Sequence, residues 1–323
     1  MPLSAALAIA GCVHADSRGL AATPPGTDAR QADCREVSPP FSPFELAVVG
    51  SGGPRGFGRA ASSYVVFVDG APRILVDVGP GAFVRLGQMN LDFGALDTVL
   101  LTHLHVDHAG DLPGFVKSRD LSYNRPLTFR IFGPEGAGDY PSTTAFIDRL
   151  FGAKGAFAYL RNFRNDLGFA VTDLPVQASA PIREVLREGD LHITSIAVQH
   201  GDAPALAFRI EHAGHAVVFS GDLASKNDNL TRLAIGADLL VYDTSVLDPP
   251  NDPPVLYDLH TAPRRIGEVA TAAQVRSLVL SHLTPDVEHA PDDVLASVRS
   301  TFKGQVRFAA DCLRIDLTQA PAT

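Results

Sequence analysis

The sequence predicts an α/β fold in which two β-sheets are packed together with helices outside them. Three observations carry that expectation. Apolar runs of strand length cluster in two groups, one from Phe44 to about Phe132 and one from Leu191 to Phe308, with helical stretches between and after them. The chain has 323 residues, enough for a sizeable core. Its 46% apolar and 20% charged residues place it with globular rather than disordered chains.

The elements follow in order. Phe44 to Gly50 reads as a strand, followed by a loop through Gly52, Gly53, Gly56 and Gly58. Ser63 to Val68 and Arg73 to Val78 read as a hairpin across the turn Asp69-Gly70. Leu96 to Thr102 is a buried strand by its apolar run, Leu112 to about Leu121 a helix, and Leu127 to Phe132 a strand. Residues 133–180 read as a helical and loop insert rich in phenylalanine, either a lid or a small local core. Strands are expected at Leu191 to Val198, Ala205 to Glu211, Ala216 to Ser220, Leu239 to Thr244, Ser277 to Ser281 and Val306 to Phe308. Helices are expected at Arg264 to Ala273 and Pro291 to Phe302.

Ahead of this body, Leu3 to Gly11 is a short apolar run ending at Cys12, too short to span a bilayer. It reads as the end of an export signal (residues 1–12), and Ile9-Ala10-Gly11-Cys12 resembles a bacterial lipobox with Cys12 as the lipidated residue. The expected location is therefore the periplasm, or a membrane reached through that lipid anchor. Residues 13–43, with Pro24-Pro25 and Pro39-Pro40, read as a flexible linker to a folded domain at 44–315. Cys34 and Cys312 flank that domain, and sequence leaves open whether they pair or stay free thiols. The net charge of −9 is a poor basis for gripping a nucleic-acid backbone, so the expected substrate is a small molecule.

The chemistry concentrates in Thr102-His103-Leu104-His105-Val106-Asp107-His108. Side chains alternate in extended backbone, so His103 and His105 face one way and can share an ion. A turn at Asp107 and His108 then aims both toward a second ion. Imidazole and carboxylate are ligands that zinc accepts. More ligands are needed, and His200, Asp222 and His282 each stand where a strand is expected to end. Gly50-Ser51-Gly52-Gly53 lacks the Gly-Lys-Ser/Thr ending of a phosphate-binding loop and reads as a turn near the site. Arg59 is a candidate anion contact or a plain surface residue.

Together these residues resemble the HxHxDH pattern and later His, Asp and His motifs of the metallo-β-lactamase superfamily, with Asp77 matching its upstream Asp. The resemblance implies a four-layer αβ/βα sandwich of two mixed sheets flanked by helices, with metals at one edge. It implies one ion on His103, His105 and His200, a second on Asp107, His108 and His282, and Asp222 bridging them. Two zinc ions are expected, with manganese or iron as alternatives. They would lower the pKa of a shared water toward neutrality, providing a hydroxide nucleophile. Asp77 is expected to orient a ligand His rather than bind metal.

Within the superfamily the chain is most similar to the ribonuclease Z and arylsulfatase branch, through Leu259-His260-Thr261-Ala262-Pro263 and Phe132-Gly133-Pro134-Glu135-Gly136. That likeness makes His260 a candidate acid at the leaving group and Asp107 both ligand and proton acceptor. The expected reaction is hydrolysis of a small phosphodiester or sulfate ester in the cell envelope. Alternatives are tRNA 3′-end cleavage of the ribonuclease Z type, lactone or β-lactam hydrolysis, and a diiron redox protein. The last is disfavoured by His105, where diiron relatives carry Glu.

Overall fold

The computed structural model describes Cys34 and residues 41–319, so Cys12 and nearly all of the 13–43 linker lie outside the described residues. The first sheet is built from β1 (Phe44–Gly50), β2 (Ser63–Val68), β3 (Ala71–Val78), β4 (Thr98–Leu100), β5 (Leu127–Pro134), β6 (Leu167–Leu174) and β14 (Arg314–Asp316). Its spatial order is β14-β1-β2-β3-β4-β5-β6. The second sheet contains β7 (Arg183–Glu188), β8 (Leu191–His200), β9 (Ala203–His212), β10 (His215–Phe219), β11 (Leu239–Asp243), β12 (Ser277–Ser281) and β13 (Gln305–Phe308), in the order β13-β12-β11-β10-β9-β8-β7. Each sheet is antiparallel on one side and parallel on the other: β3, β4, β5 and β6 run parallel, as do β10, β11, β12 and β13.

The apolar runs are continuous because both faces of each sheet are covered. Every residue of β1 and β2 is buried. Their alternate side chains divide between two cores. Leu46, Val48, Tyr64 and Val66 meet Phe208, Ile210 and Phe219 between the sheets. Ala47, Val49, Val65 and Phe67 face outward to α1 (Ala82–Gln88), α2 (Val106–Ala109), α3 (Leu112–Ser122) and α4 (Thr143–Phe151). The second sheet is covered likewise by α5 (Asn229–Ala234), α6 (Pro263–Ala272), α7 (Pro285–His289) and α8 (Pro291–Thr301). The result is the expected αβ/βα sandwich.

Several elements differ from expectation. The Leu96 to Thr102 strand shrinks to three residues, because Phe93–Ala95 forms a 3-10 turn first and the chain leaves the ladder after Leu101 bonds Phe132. The 133–180 stretch holds an eight-residue strand, β6, paired along all of β5 as the sheet's edge. Leu167, Phe169 and Val171 alternate onto the core, a period-2 signal weakened because the residues between them, Gly168 and Ala170, are small rather than polar. Phe146, Phe151, Phe157 and Phe169 of this stretch form a local core, with Phe151 stacked on Phe169 at 4.8 Å, whereas Tyr159 and Phe163 are exposed. The helices α1 and α5 and the strands β7 and β14 are short and carried no sequence signal strong enough to place them. Cys34 and Cys312 form a disulfide across 278 residues, which settles their pairing.

Candidate metal centre

Parallel pairing places the ends of β3 and β4 at one edge of the first sheet, and of β10, β11 and β12 at one edge of the second. Strand β8 runs parallel to β10, since both are antiparallel to β9, so it ends at the same edge. Each strand delivers a polar residue there: Asp77 within β3, His103 after β4, His200 at the last position of β8, Asp222 after β10, Asp243 at the end of β11 and His282 after β12. The backbone turns sharply to do so. Asp77 and His282 hold φ of 54° and 57°, left-handed values that cost energy for non-glycine residues.

The HxHxDH segment behaves as its spacing predicts. His103 and His105 come from extended backbone and converge with His200, whose Nε2 lies 3.3 Å from His105 Nδ1. The chain then turns into α2, which swings Asp107 and His108 toward Asp222 and His282. Gly79 makes the turn possible: a Cβ there would stand 2.0 Å from the Asp107 carbonyl oxygen.

Two donor groups result, His103, His105 and His200, and Asp107, His108, Asp222 and His282. Asp222 lies between them. Its Oδ2 is 4.0 Å from His103 Nε2, 3.9 Å from His200 Nε2 and 3.2 Å from His282 Nε2, while Oδ1 is 3.3 Å from His108 Nε2. Asp107 Oδ2 is 3.1 Å from His282 Nε2. Ligands about 2.1 Å from a tetrahedral ion stand roughly 3.4 Å apart, so these spacings suit cation binding.

Buried polar atoms are nearly always paired, yet His103 Nε2, His108 Nε2 and Asp222 Oδ1 are buried with no hydrogen bond. All three point into the cluster, and nitrogen and carboxylate oxygen are zinc-type donors. The residues fit the cations that the sequence implies.

Surrounding groups fix these donors. Asp77 Oδ2 accepts from His108 Nδ1 at 2.8 Å, and its Oδ1 takes the Thr102 amide at 2.8 Å. The Leu259 carbonyl accepts from His200 Nδ1 at 2.8 Å, leaving Nε2 for the cluster. Ser245 Oγ bonds His282 Nδ1 and Asp243 Oδ1, both at 2.5 Å. His260 Nδ1 donates to Asp243 Oδ2 at 2.6 Å, which makes His260 a partner of that carboxylate beside the two groups.

With these side chains alone setting the field, burial pushes His103 well below the ordinary imidazole range, with His108 adding to the shift. Burial also lowers His200 and His105. Burial opposes the charge on His108 and His282, but Asp222 with Asp77 outweighs it at the first. Asp222, Asp107 and Asp243 outweigh it at the second, which rises to about 10. Asp222 is held well below its usual range, burial being overcome by His282 and His108. At His260 burial is again overcome, here by Asp243, and its pKa is raised.

Sequence reasoning missed Asp243, Ser245 and the anchoring role of Thr102. Asp243 was findable by the rule that found Asp222 and His282, since it too closes an apolar strand. Arg59 is not a free surface residue: it ties Ser51, the Ala309 carbonyl and the Glu288 carboxylate together behind the Gly-rich loop. That loop does line the site, for a Cβ on Gly53 would lie 3.1 Å from the His282 ring.

The β-lactamase superfamily domain matches residues 72–283, two thirds of the sequence, and the match contains every cluster residue. The chain belongs to the metallo-β-lactamase superfamily. It is a metal-dependent hydrolase of that superfamily. Ribonuclease Z of Mycobacterium sp. (strain KMS) is 28% identical over 290 residues, covering 85% of this chain and 96% of that protein. Among solved structures, the metallo-β-lactamase fold protein YhfI from Bacillus subtilis superposes with a TM-score of 0.64 at 22% identity, covering 85% of this chain and 99% of that one. Human tRNase Z, short form, gives 0.66 at 20% identity, covering 85% and 100%. At those identities the two structures establish the shared fold alone.

Proposed function

We propose that this superfamily hydrolase is a phosphodiesterase of the ribonuclease Z type that works with two zinc ions. The observation that carries this reading is the pair of donor groups with Asp222 lying between them and the Asp243–His260 pair beside them. The name of its curated relatives, ribonuclease Z, favours a phosphodiester over a sulfate ester, lactone or β-lactam. His103, His105 and His200 would hold one ion and Asp107, His108 and His282 the other, with Asp222 available to both. Bound there, the ions supply Lewis acidity and a water acidified toward neutral pH.

The chain's own residues do the rest. Asp107, whose carboxylate stays ionised because His282 and His108 outweigh its burial, accepts a proton from the attacking water. Protonated His260, held by Asp243, gives its proton to the departing oxygen. Asp77 and the Leu259 carbonyl keep His108 and His200 turned to the centre.

A tRNA precursor cut at its 3′ end is the substrate that the relatives' name favours. A small diester in the cell envelope is the second reading, and specific observations favour it. The Cys34–Cys312 disulfide supports an exported chain, because such bonds persist in oxidising compartments. The acidic balance and the packing of β6 into the sheet, in place of a basic projecting arm, also lean that way.

Elemental analysis combined with assays on a bis-aryl phosphodiester, an aryl sulfate and a 3′-extended tRNA tests the proposal. Near two zinc per chain with diester cleavage is expected. Sulfate cleavage alone, or one metal per chain with full activity, would refute it.

A further inference from the structure

Five of the ten large apolar side chains exposed among the described residues gather on the helical layer outside the first sheet. Phe83 and Val84 stand on α1, Leu121 on α3, and Tyr159 and Phe163 on or beside the 3-10 turn Ala158–Asn162. Contacts join them into one surface. The Phe83 ring covers Gly114, where a Cβ would lie 3.3 Å from it. Gly114, Lys117 and Leu121 share one face of α3 by their spacing. Lys117 Nζ sits 5.8 Å and 5.2 Å from the centres of the Tyr159 and Phe163 rings, which meet edge to face at 5.6 Å.

Cations are interleaved with these groups. Lys117, Lys154, Arg161 and Arg164 are exposed, and none makes an ion pair among the described residues. From Asp148 to Asp166 there are four exposed cations and two exposed acids, in a chain whose net charge is −9. The patch is thus locally positive on an acidic protein.

This combination matches a lipid surface. Aromatic rings and the stems of Lys and Arg enter the acyl boundary of a bilayer while their charges meet headgroup phosphate. Base stacking would employ the rings but not Val84 or Leu121. A second copy of the same face would set cation against cation. The placement suits a bilayer too. Helix α3 starts beside the metal edge and runs about 16 Å away from it, so Lys117 and Leu121 lie in its far half. Cys34 packs in the same layer as Ala82 and Leu86 of α1, so a chain leading from Cys12 joins the domain on this side of the sheet.

We propose that this face docks the domain on a bilayer surface carrying anionic phospholipid, with the metal edge left free. The docking is independent of which ester is cleaved.

The test uses the full chain with Cys12→Ala, so that no covalent lipid contributes, and vesicles of phosphatidylcholine alone or mixed with phosphatidylglycerol. Co-sedimentation gives the partition. Binding to the anionic vesicles is expected to exceed that to the neutral ones about tenfold at low salt, and to fall as salt rises. Without such a patch the net charge of −9 would give the reverse order. Tyr159→Ser combined with Phe163→Ser should weaken anionic-vesicle binding about tenfold by the apolar area no longer buried. Arg161→Glu should weaken it by a similar factor. Lys303→Glu makes the same charge change after α8, on the opposite outer layer, and should leave binding within about twofold. Zinc content and the thermal midpoint confirm that each variant is folded. Equal partition into both vesicle types, or equal losses for Arg161→Glu and Lys303→Glu, would overturn the proposal. Patch variants that keep vesicle binding but lose affinity for a single-stranded oligoribonucleotide would overturn it in favour of RNA.

Discussion

His260 Nδ1 lies 2.6 Å from Asp243 Oδ2, and both are buried at the edge of the second sheet. The carboxylate orients the ring and raises its pKa against burial, while its other oxygen accepts from Ser245, whose hydroxyl also bonds His282 Nδ1. One side chain thus links His260, the proposed proton donor, to His282 of the donor cluster.

Removing that charge should separate the two roles. Asp243→Asn is expected to lower kcat by roughly a hundredfold for esters with poor leaving groups. A nitrophenolate ester needs little protonation and should suffer far less. Steady-state rates across leaving groups of graded pKa check this; a uniform loss would mean that Asp243 acts only through His282.

Asp77 should matter without touching substrate. Its Oδ2 fixes His108 through a 2.8 Å hydrogen bond, so Asp77→Asn is expected to weaken cation binding about 10- to 100-fold. Chelator competition gives the affinity, and activity should return when excess zinc is supplied.

Gly79→Ala probes the close approach beneath Asp107. The new methyl would meet a carbonyl oxygen at 2.0 Å, and backbone has little room to yield. A stability loss of about 3 kcal/mol is expected, together with a cation lost from the Asp107 group. Urea titration and metal content report the two effects.

The chelated protein should show a pH signature. His282, raised to about 10 from 6.5, adds stability that is full below pH 6.5 and is lost as pH climbs toward 10. The chelated protein is therefore expected to lose thermal stability across that window. Cations take deprotonated imidazole, so loading at neutral pH should release protons, and affinity should fall as pH falls. Calorimetry in two buffers of different ionisation enthalpy counts those protons.

The layered fold, the hairpin across Asp69-Gly70 and the HxHxDH group were legible in sequence because each rests on local chemistry: apolar runs of strand length, a turn dipeptide, and imidazoles at alternating spacing. His200, Asp222, His282 and His260 were legible as polar residues at the ends of expected strands or before a helix. Tertiary structure alone decided what those ends meant. Parallel pairing within each sheet aligned the ends of β4, β10 and β12, and packing of the two sheets brought those ends together, so His103, Asp222 and His282 meet although more than fifty residues separate each from the next. It also decided that Asp243 faces His260, that Arg59 braces a loop, that Cys34 finds Cys312 and that β6 closes the first sheet. Short-range patterns record which face of a strand is buried. Which strand ends become neighbours depends on pairing across the whole chain, and no local pattern carries that.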